Sequence, residues 1–161
     1  MIVLGIDPGF TITGFSIVCK IQGKDTVLDC GYLSLPAKKT LDIRIGIFFN
    51  FFMEKIKKFQ ITDISIETPF LGKNVQSFLK LGYLRGVLYL LANQNDLQLH
   101  EFSPREVKRA VTGFGGAQKE QVAQVLFMLF PKLPKPKKED VTDAIAISLC
   151  GLWQQKRSNF L

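Results

Sequence analysis

The spacing of apolar residues changes period along the chain, and that change limits the folds open to it. Up to Leu35 the pattern is that of strands. Ile2 to Ile6 is a short apolar run stopped by Asp7-Pro8-Gly9, while Thr11 to Lys20 and Thr26 to Leu35 are rich in Thr, Val, Ile, Phe and Tyr, with Gln22-Gly23-Lys24 between them. Runs of this kind, bounded by turn residues, predict a meander of three antiparallel strands. Beyond Pro36 the period becomes helical. Leu41, Ile45, Phe48, Phe49, Phe52 and Ile56 share one face of a helix over 41–59, and Lys55, Lys57 and Lys58 lie in its last turns, where the macrodipole favours cations. A fourth strand over 62–66, a helix over 75–92 and a fifth strand over 97–102 follow. Ser103-Pro104-Arg105-Glu106 is a capping box with Pro at the first helical position, so a helix starts there and ends at Gly113. Gly115-Gly116 opens another over 117–130, and a last helix runs over 140–155. A meander followed by strand–helix–strand crossings predicts an α/β fold: a five-stranded mixed sheet flanked by helices, as one domain over 1–161.

Composition narrows the partner. The 161 residues carry 21 Lys+Arg against 14 Asp+Glu, a net charge of +7. Pro104 to Lys138 alone holds eight bases (Arg105, Lys108, Arg109, Lys119, Lys132, Lys135, Lys137, Lys138) and two acids, Glu106 and Glu120. Charge concentrated in this way points to nucleic acid rather than to solubility alone. Gly- and Pro-rich interruptions argue against an amphipathic membrane helix. The longest apolar runs, 45–53 and 87–92, are far short of a membrane span, and the N-terminus lacks a signal-peptide pattern. Cys19, Cys30 and Cys150 are scattered without CxxC spacing, and His100 is the only His. The expectation is a cytoplasmic protein with reduced thiols, no zinc site and no Ser–His nucleophile.

Four acids stand at positions that can carry chemistry. Asp7 ends the first strand, and it is either an Asp of a Pro-Gly turn or an acid facing a cleft. Glu67 ends the fourth strand and is either a solvated strand end or a neighbour of Asp7. Asp140 and Asp143 are three apart at the start of the last helix and share a face; Asp140 also suits an N-terminal first turn. The residues after Asp143 are small or apolar all round. Acids gathered from three distant segments need cations between them, and carboxylates with water are natural Mg²⁺ ligands suited to phosphodiester hydrolysis.

Four motifs then occur in order. They are Gly5-Ile-Asp7-Pro-Gly-Phe-Thr-Ile-Thr-Gly-Phe15; Ile66-Glu67 with Phe70-Leu-Gly-Lys-Asn74 and Leu79-Lys-Leu-Gly82…Arg85-Gly86; Pro104 to Lys119 with Gly113-Phe-Gly-Gly-Ala-Gln-Lys119; and Asp140-Val-Thr-Asp143-Ala-Ile-Ala-Ile. From Ile2 to about Leu152 the chain resembles the RuvC family of crossover (Holliday) junction endodeoxyribonucleases. The resemblance implies an RNase H-like fold, a homodimer, and paired metal-dependent nicking of four-way junction DNA during recombination and repair. It implies two Mg²⁺ ions per active site, with Mn²⁺ able to substitute, and the RuvA–RuvB branch-migration complex as a partner. It makes Asp7, Glu67, Asp140 and Asp143 the catalytic metal-binding acids, and Phe70, Lys73, Lys108 and Lys119 the DNA-binding residues, with Phe70 stacking on a base near the crossover. Pro69 stiffens the approach to Phe70, and some relatives carry His where this chain has Asp140. The helix over 75–92 has apolar positions on more than one side, which places it either at a dimer interface or inside one subunit. A junction-binding protein without cleavage would lack a use for the four acids, and an RNase H acting on hybrids would lack the second and third motifs.

Overall fold

The computed structural model describes residues 1–69 and 75–158, with side chains through residue 154. The elements are β1 (Ile2–Asp7), β2 (Ile12–Ile21), β3 (Lys24–Ser34), α1 (Leu41–Phe59), β4 (Asp63–Glu67), α2 (Val75–Gln94), β5 (Gln98–Phe102), α3 (Pro104–Thr112), α4 (Lys119–Leu129) and α5 (Glu139–Ser158). The sheet order is β3-β2-β1-β4-β5. The meander pairs are antiparallel, and β1–β4 and β4–β5 are parallel. The mixed five-stranded sheet expected from the sequence is therefore present. No helix among the described residues is long and apolar enough to cross a membrane.

Strand parity divides the core in two. Leu4, Ile6, Phe15, Ile17, Ile64 and Ile66 point to the face covered by α1 and α2, where Phe48, Phe52, Leu84, Leu88 and Leu91 complete a buried cluster. Phe48, Phe51, Phe52 and Phe15 meet edge to face there, with centroids 4.7–6.4 Å apart. Val3, Val18 and Phe102 point to the opposite face, packed by α3, α4 and α5. Successive strand residues alternate faces, so Gly5 and Asp7 follow Val3 toward α5, and Ser65 and Glu67 do the same on β4.

α5 lies very close to the sheet because small residues line its inner stripe. A Cβ on Gly5 would stand 2.5 Å from the Ala144 carbonyl oxygen and from Ser148, and a Cβ on Gly14 would overlap the Asp140 carbonyl. Farther along, a Cβ on Gly151 would overlap Ser65 Oγ. Positions 140, 144, 148 and 151 are one turn apart, so this seam fixes both the rotation and the depth of the helix. α3 is started by the expected box: Ser103 Oγ accepts from Glu106 N–H, the Glu106 carboxylate accepts from Ser103 N–H at 2.7 Å, and Gly113 closes the helix at φ 80°.

One expectation is adjusted. α4 begins at Lys119 rather than 117, and Gln121 Oε1 accepts from Gln118 N–H at 2.8 Å, so its first turn is partly satisfied from within. In the turn before it, a Cβ on Gly116 would stand 2.6 Å from the exposed Phe114 ring and one on Gly115 3.1 Å from the Arg105 carbonyl.

Candidate active site

Parallel pairing of β1 with β4 ends at Ile6–Ile66, so Asp7 and Glu67 are the next residues on adjacent strands and share the α5 face. The chain leaves the sheet at both points. The Gly14–Asp140 and Gly5–Ala144 contacts set the start of α5 against this end of the sheet, with Asp143 on the turn between them. Asp7, Glu67 and Asp143 line one recess of about 250 Å³, together with Pro104, Val107, Lys108, Lys119, Val122 and Ala146. α3 supplies Lys108 and α4 supplies Lys119 at its first residue.

The recess is electrostatically strained. Burial, then the charges of Asp143, Glu67 and Asp140, push the Asp7 carboxyl up to about 7, and Lys119 offsets part of this. Burial and Asp143 likewise raise Glu67, while Lys119 and Lys108 lower it. Both shifts follow from placing like charges in a partly dry cleft. Lys119 Nζ donates to Asp143 Oδ2 at 2.7 Å, and that bond raises the lysine above its ordinary value.

Of the residues singled out by sequence, Asp7, Glu67, Asp143, Lys108 and Lys119 meet in this recess. Asp140 acts on Asp7 through space but does not line it. Phe70 and Lys73 lie outside the described residues. Among the described residues, no three acidic, His or Cys side chains are grouped closely enough to hold a metal as placed. The fit to a cation is one of donor chemistry: oxygen-only carboxylates suit hard divalent ions, and one of these oxygens, Asp143 Oδ2, already holds a cationic group, the Lys119 ammonium.

Sequence motifs named Arg85 without giving it a role. Arg85 is 6% exposed. Its Nη1 donates to the Glu67 carbonyl at 2.6 Å, and its Nη2 donates to Glu101 Oε1 at 2.6 Å. Arg44 was also missed: it donates to the Phe10 carbonyl and stacks 3.9 Å over the Phe10 ring, tying the loop after Asp7 to α1. The signal available in each case was a basic residue within an otherwise apolar helical face.

Comparison with known proteins identifies the family. The family model described as crossover junction endodeoxyribonuclease RuvC matches residues 3–151. The chain belongs to the RuvC family. It is accordingly a crossover junction endodeoxyribonuclease, a DNA nuclease of recombination and repair. The RuvC of Pelodictyon phaeoclathratiforme is 43% identical over 152 residues, which cover 94% of this chain and 80% of that protein. The RuvC of Ruminiclostridium cellulolyticum is 38% identical, with 93% and 90% covered. Thermus thermophilus RuvC in complex with Holliday junction substrate superimposes with a TM-score of 0.89 at 25% identity, over 98% of this chain and 97% of that one. The yeast mitochondrial Holliday junction resolvase Ydc2 shares the fold, with a TM-score of 0.68 at 18% identity, over 98% of this chain and 82% of that one.

Proposed function

We propose that this RuvC-family chain nicks two strands of like polarity in a four-way DNA junction, using Asp7, Glu67, Asp140 and Asp143 to hold two Mg²⁺ ions. The observation that carries this reading is the recess itself: acids from two adjacent strands and one helix, walled by Lys108 and Lys119. Divalent ions held by these acids would supply activation of the attacking water and stabilisation of the leaving 3′ oxygen; Mn²⁺ is expected to substitute. Lys108 and Lys119 contact the scissile phosphate and keep its approach favourable beside the acids. Lys119, which donates to Asp143 here, is exposed enough to turn its ammonium to a phosphate instead. Phe70 and Lys73 stand three and six residues after Glu67 in sequence, and family membership assigns them to DNA binding.

The substrate has twofold symmetry, and a homodimer supplies two sites in matching register. α2 supports this assembly: Val75, Leu79, Tyr83, Tyr89 and Leu90 are exposed on it, while Leu84, Leu88 and Leu91 face the core. An outer apolar face on a helix that already buries an inner one fits a second copy of the chain. The RuvA–RuvB partnership rests on family membership. Cys19, Cys30 and Cys150, scattered without CxxC spacing, fit a reducing cytoplasm.

The test is a digest of a synthetic four-way junction beside linear duplex of the same sequence, with Mg²⁺ and with chelator. Paired symmetric nicks in the junction alone, dependent on Mg²⁺, are expected. Asp7→Asn is expected to bind the junction without nicking it. Cleavage spread over linear duplex, or nicking by Asp7→Asn at the wild-type rate, overturns the assignment.

A further inference from the structure

Glu67 is the last residue of β4, so its backbone has sheet support on one side of it only. Its carbonyl is taken by a helix instead. Arg85, near the middle of α2, is buried, and its guanidinium fork divides between two partners: Nη1 donates to the Glu67 carbonyl at 2.6 Å and Nη2 to Glu101 Oε1 at 2.6 Å. Tyr89, one turn further along α2, closes the set. Its hydroxyl lies 3.2 Å from Arg85 Nη2 and donates to the same Glu101 oxygen. Glu101 is on β5, which is hydrogen-bonded to β4, and Thr68 N–H donates to the Phe102 carbonyl at 2.8 Å. The end of β4 is thus pinned from α2 and from β5 within two residues of the cleft.

We infer that Arg85, braced by Glu101 and Tyr89, is a positioning residue that fixes the backbone at Glu67 and so the place of its carboxylate in the active site. This rests on the reading of Glu67 as a metal-binding acid. The argument is geometric. Active-site groups must be held within about 0.5 Å of their productive positions by neighbours whose own conformations are locked. A guanidinium reaches a carbonyl and a carboxylate at once from one rigid plane, and a lysine ammonium on a flexible stem does not. A buried guanidinium needs a counter-charge, which Glu101 supplies, and acceptors for its remaining N–H groups. The acceptor that Arg85 takes is the carbonyl of Glu67, at the one strand end that carries chemistry. Tyr89 is 45% exposed on the outer face of α2. The network therefore leads from the face assigned to the second subunit to the catalytic carboxylate.

The experiment uses full-length Arg85→Lys, Arg85→Met and Tyr89→Phe. Three readouts are taken: junction affinity in chelator, kcat and KM for nicking, and Mn²⁺ affinity without DNA, from the spin-resonance signal of the free ion. Arg85→Lys keeps the charge beside Glu101 but loses the fork. The expected result is junction affinity within about twofold of wild type, kcat reduced at least tenfold with KM little changed, and Mn²⁺ binding weakened severalfold. Arg85→Met is expected to match Arg85→Lys in kcat, and Tyr89→Phe to fall between them and wild type. Wild-type kcat and Mn²⁺ affinity in Arg85→Lys overturns the inference, as does a loss of kcat matched by an equal loss of junction affinity. Should both Arg85 variants fail to fold, Tyr89→Phe and Glu101→Gln decide: unchanged kcat and Mn²⁺ affinity in both overturns it, and a fall in both measures supports it. A wild-type protein that nicks no junction would defeat the proposed function, while the Mn²⁺ affinities would still decide the role of Arg85.

Discussion

Replacing Asp7 by Asn should stabilise the metal-free protein, and by an amount that depends on pH. In the folded chain the Asp7 carboxyl holds its proton up to about pH 7, against an ordinary value of 3.8. Between those values the folded state binds more protons than the unfolded state, so stability is present at low pH and is lost as pH rises from about 4 to 7. A shift of about three units is worth at most about 4 kcal/mol at 1.36 kcal/mol per unit. Residual solvent access and relaxation reduce this to roughly 2–4 kcal/mol. Asn has no proton to lose and makes no such loss. For a chain of 161 residues, each kcal/mol moves the melting temperature by about 2–4 °C. In chelator at pH 8, Asp7→Asn should therefore melt roughly 5–15 °C above wild type, and the gap should close toward pH 4. Thermal melts of both proteins across that range measure it directly. Saturating Mg²⁺ should then raise the wild-type melting temperature more than that of the variant. A gap that is absent at pH 8, or equally large at pH 4, refutes the claim that Asp7 is held in a buried nest of like charge.

Three further outcomes follow from the same geometry. Lys119→Met removes a pair that is worth only about 0–1 kcal/mol, because the lysine is 63% exposed. Its main effect should be to raise Asp7 and Glu67 further, seen as metal binding that requires a higher pH. Lys108→Ala should weaken junction binding about equally across sequences and reduce the salt slope of binding by about one, read from filter binding at several salt concentrations. Gly14→Ala drives a methyl into the Asp140 carbonyl; it should cost about 1–3 kcal/mol in denaturant unfolding and reduce nicking by displacing the start of α5.

The elements were largely legible in the sequence because their periods are clean. α1 falls at Leu41–Phe59 and α3 starts at Pro104, as the helical face and the capping box predict. The juxtaposition of Asp7 with Glu67 was partly legible: two acids ending two apolar strands share a face once those strands are neighbours in parallel register. Which strands are neighbours is a tertiary fact that the residues alone left open. The closeness of α5 was foreshadowed by the small residues after Asp143, but not the glycines on β1 and β2 that receive it. Arg85 was least legible. Its partner is a carbonyl eighteen positions away, and a backbone group carries no mark in the sequence.

The charge distribution ties these observations to one last expectation. With the four acids ionised, −4 of the total belongs to the start of one cleft and its rim, and the rest of the chain carries +11. A phosphate is drawn to the protein as a whole and repelled at the point of cleavage. Without metal, two devices relieve the cleft: the Asp7 proton, held up to about pH 7, and the Lys119 ammonium on Asp143. A divalent ion held by Asp7 would require its proton to leave, because ligating carboxylates are deprotonated, and one held by Asp143 Oδ2 would compete with the Lys119 ammonium. Metal binding should therefore release close to one proton per site below pH 7, and the logarithm of metal affinity should climb by up to about one per pH unit there. Above pH 7 the slope should flatten, since Asp7 is already ionised. Calorimetric Mn²⁺ titrations between pH 6 and 8 in buffers of different ionisation enthalpy count that proton. A pH-independent affinity over this range would show that Asp7 reaches the cation already ionised, and that the lysine alone neutralises the empty cleft.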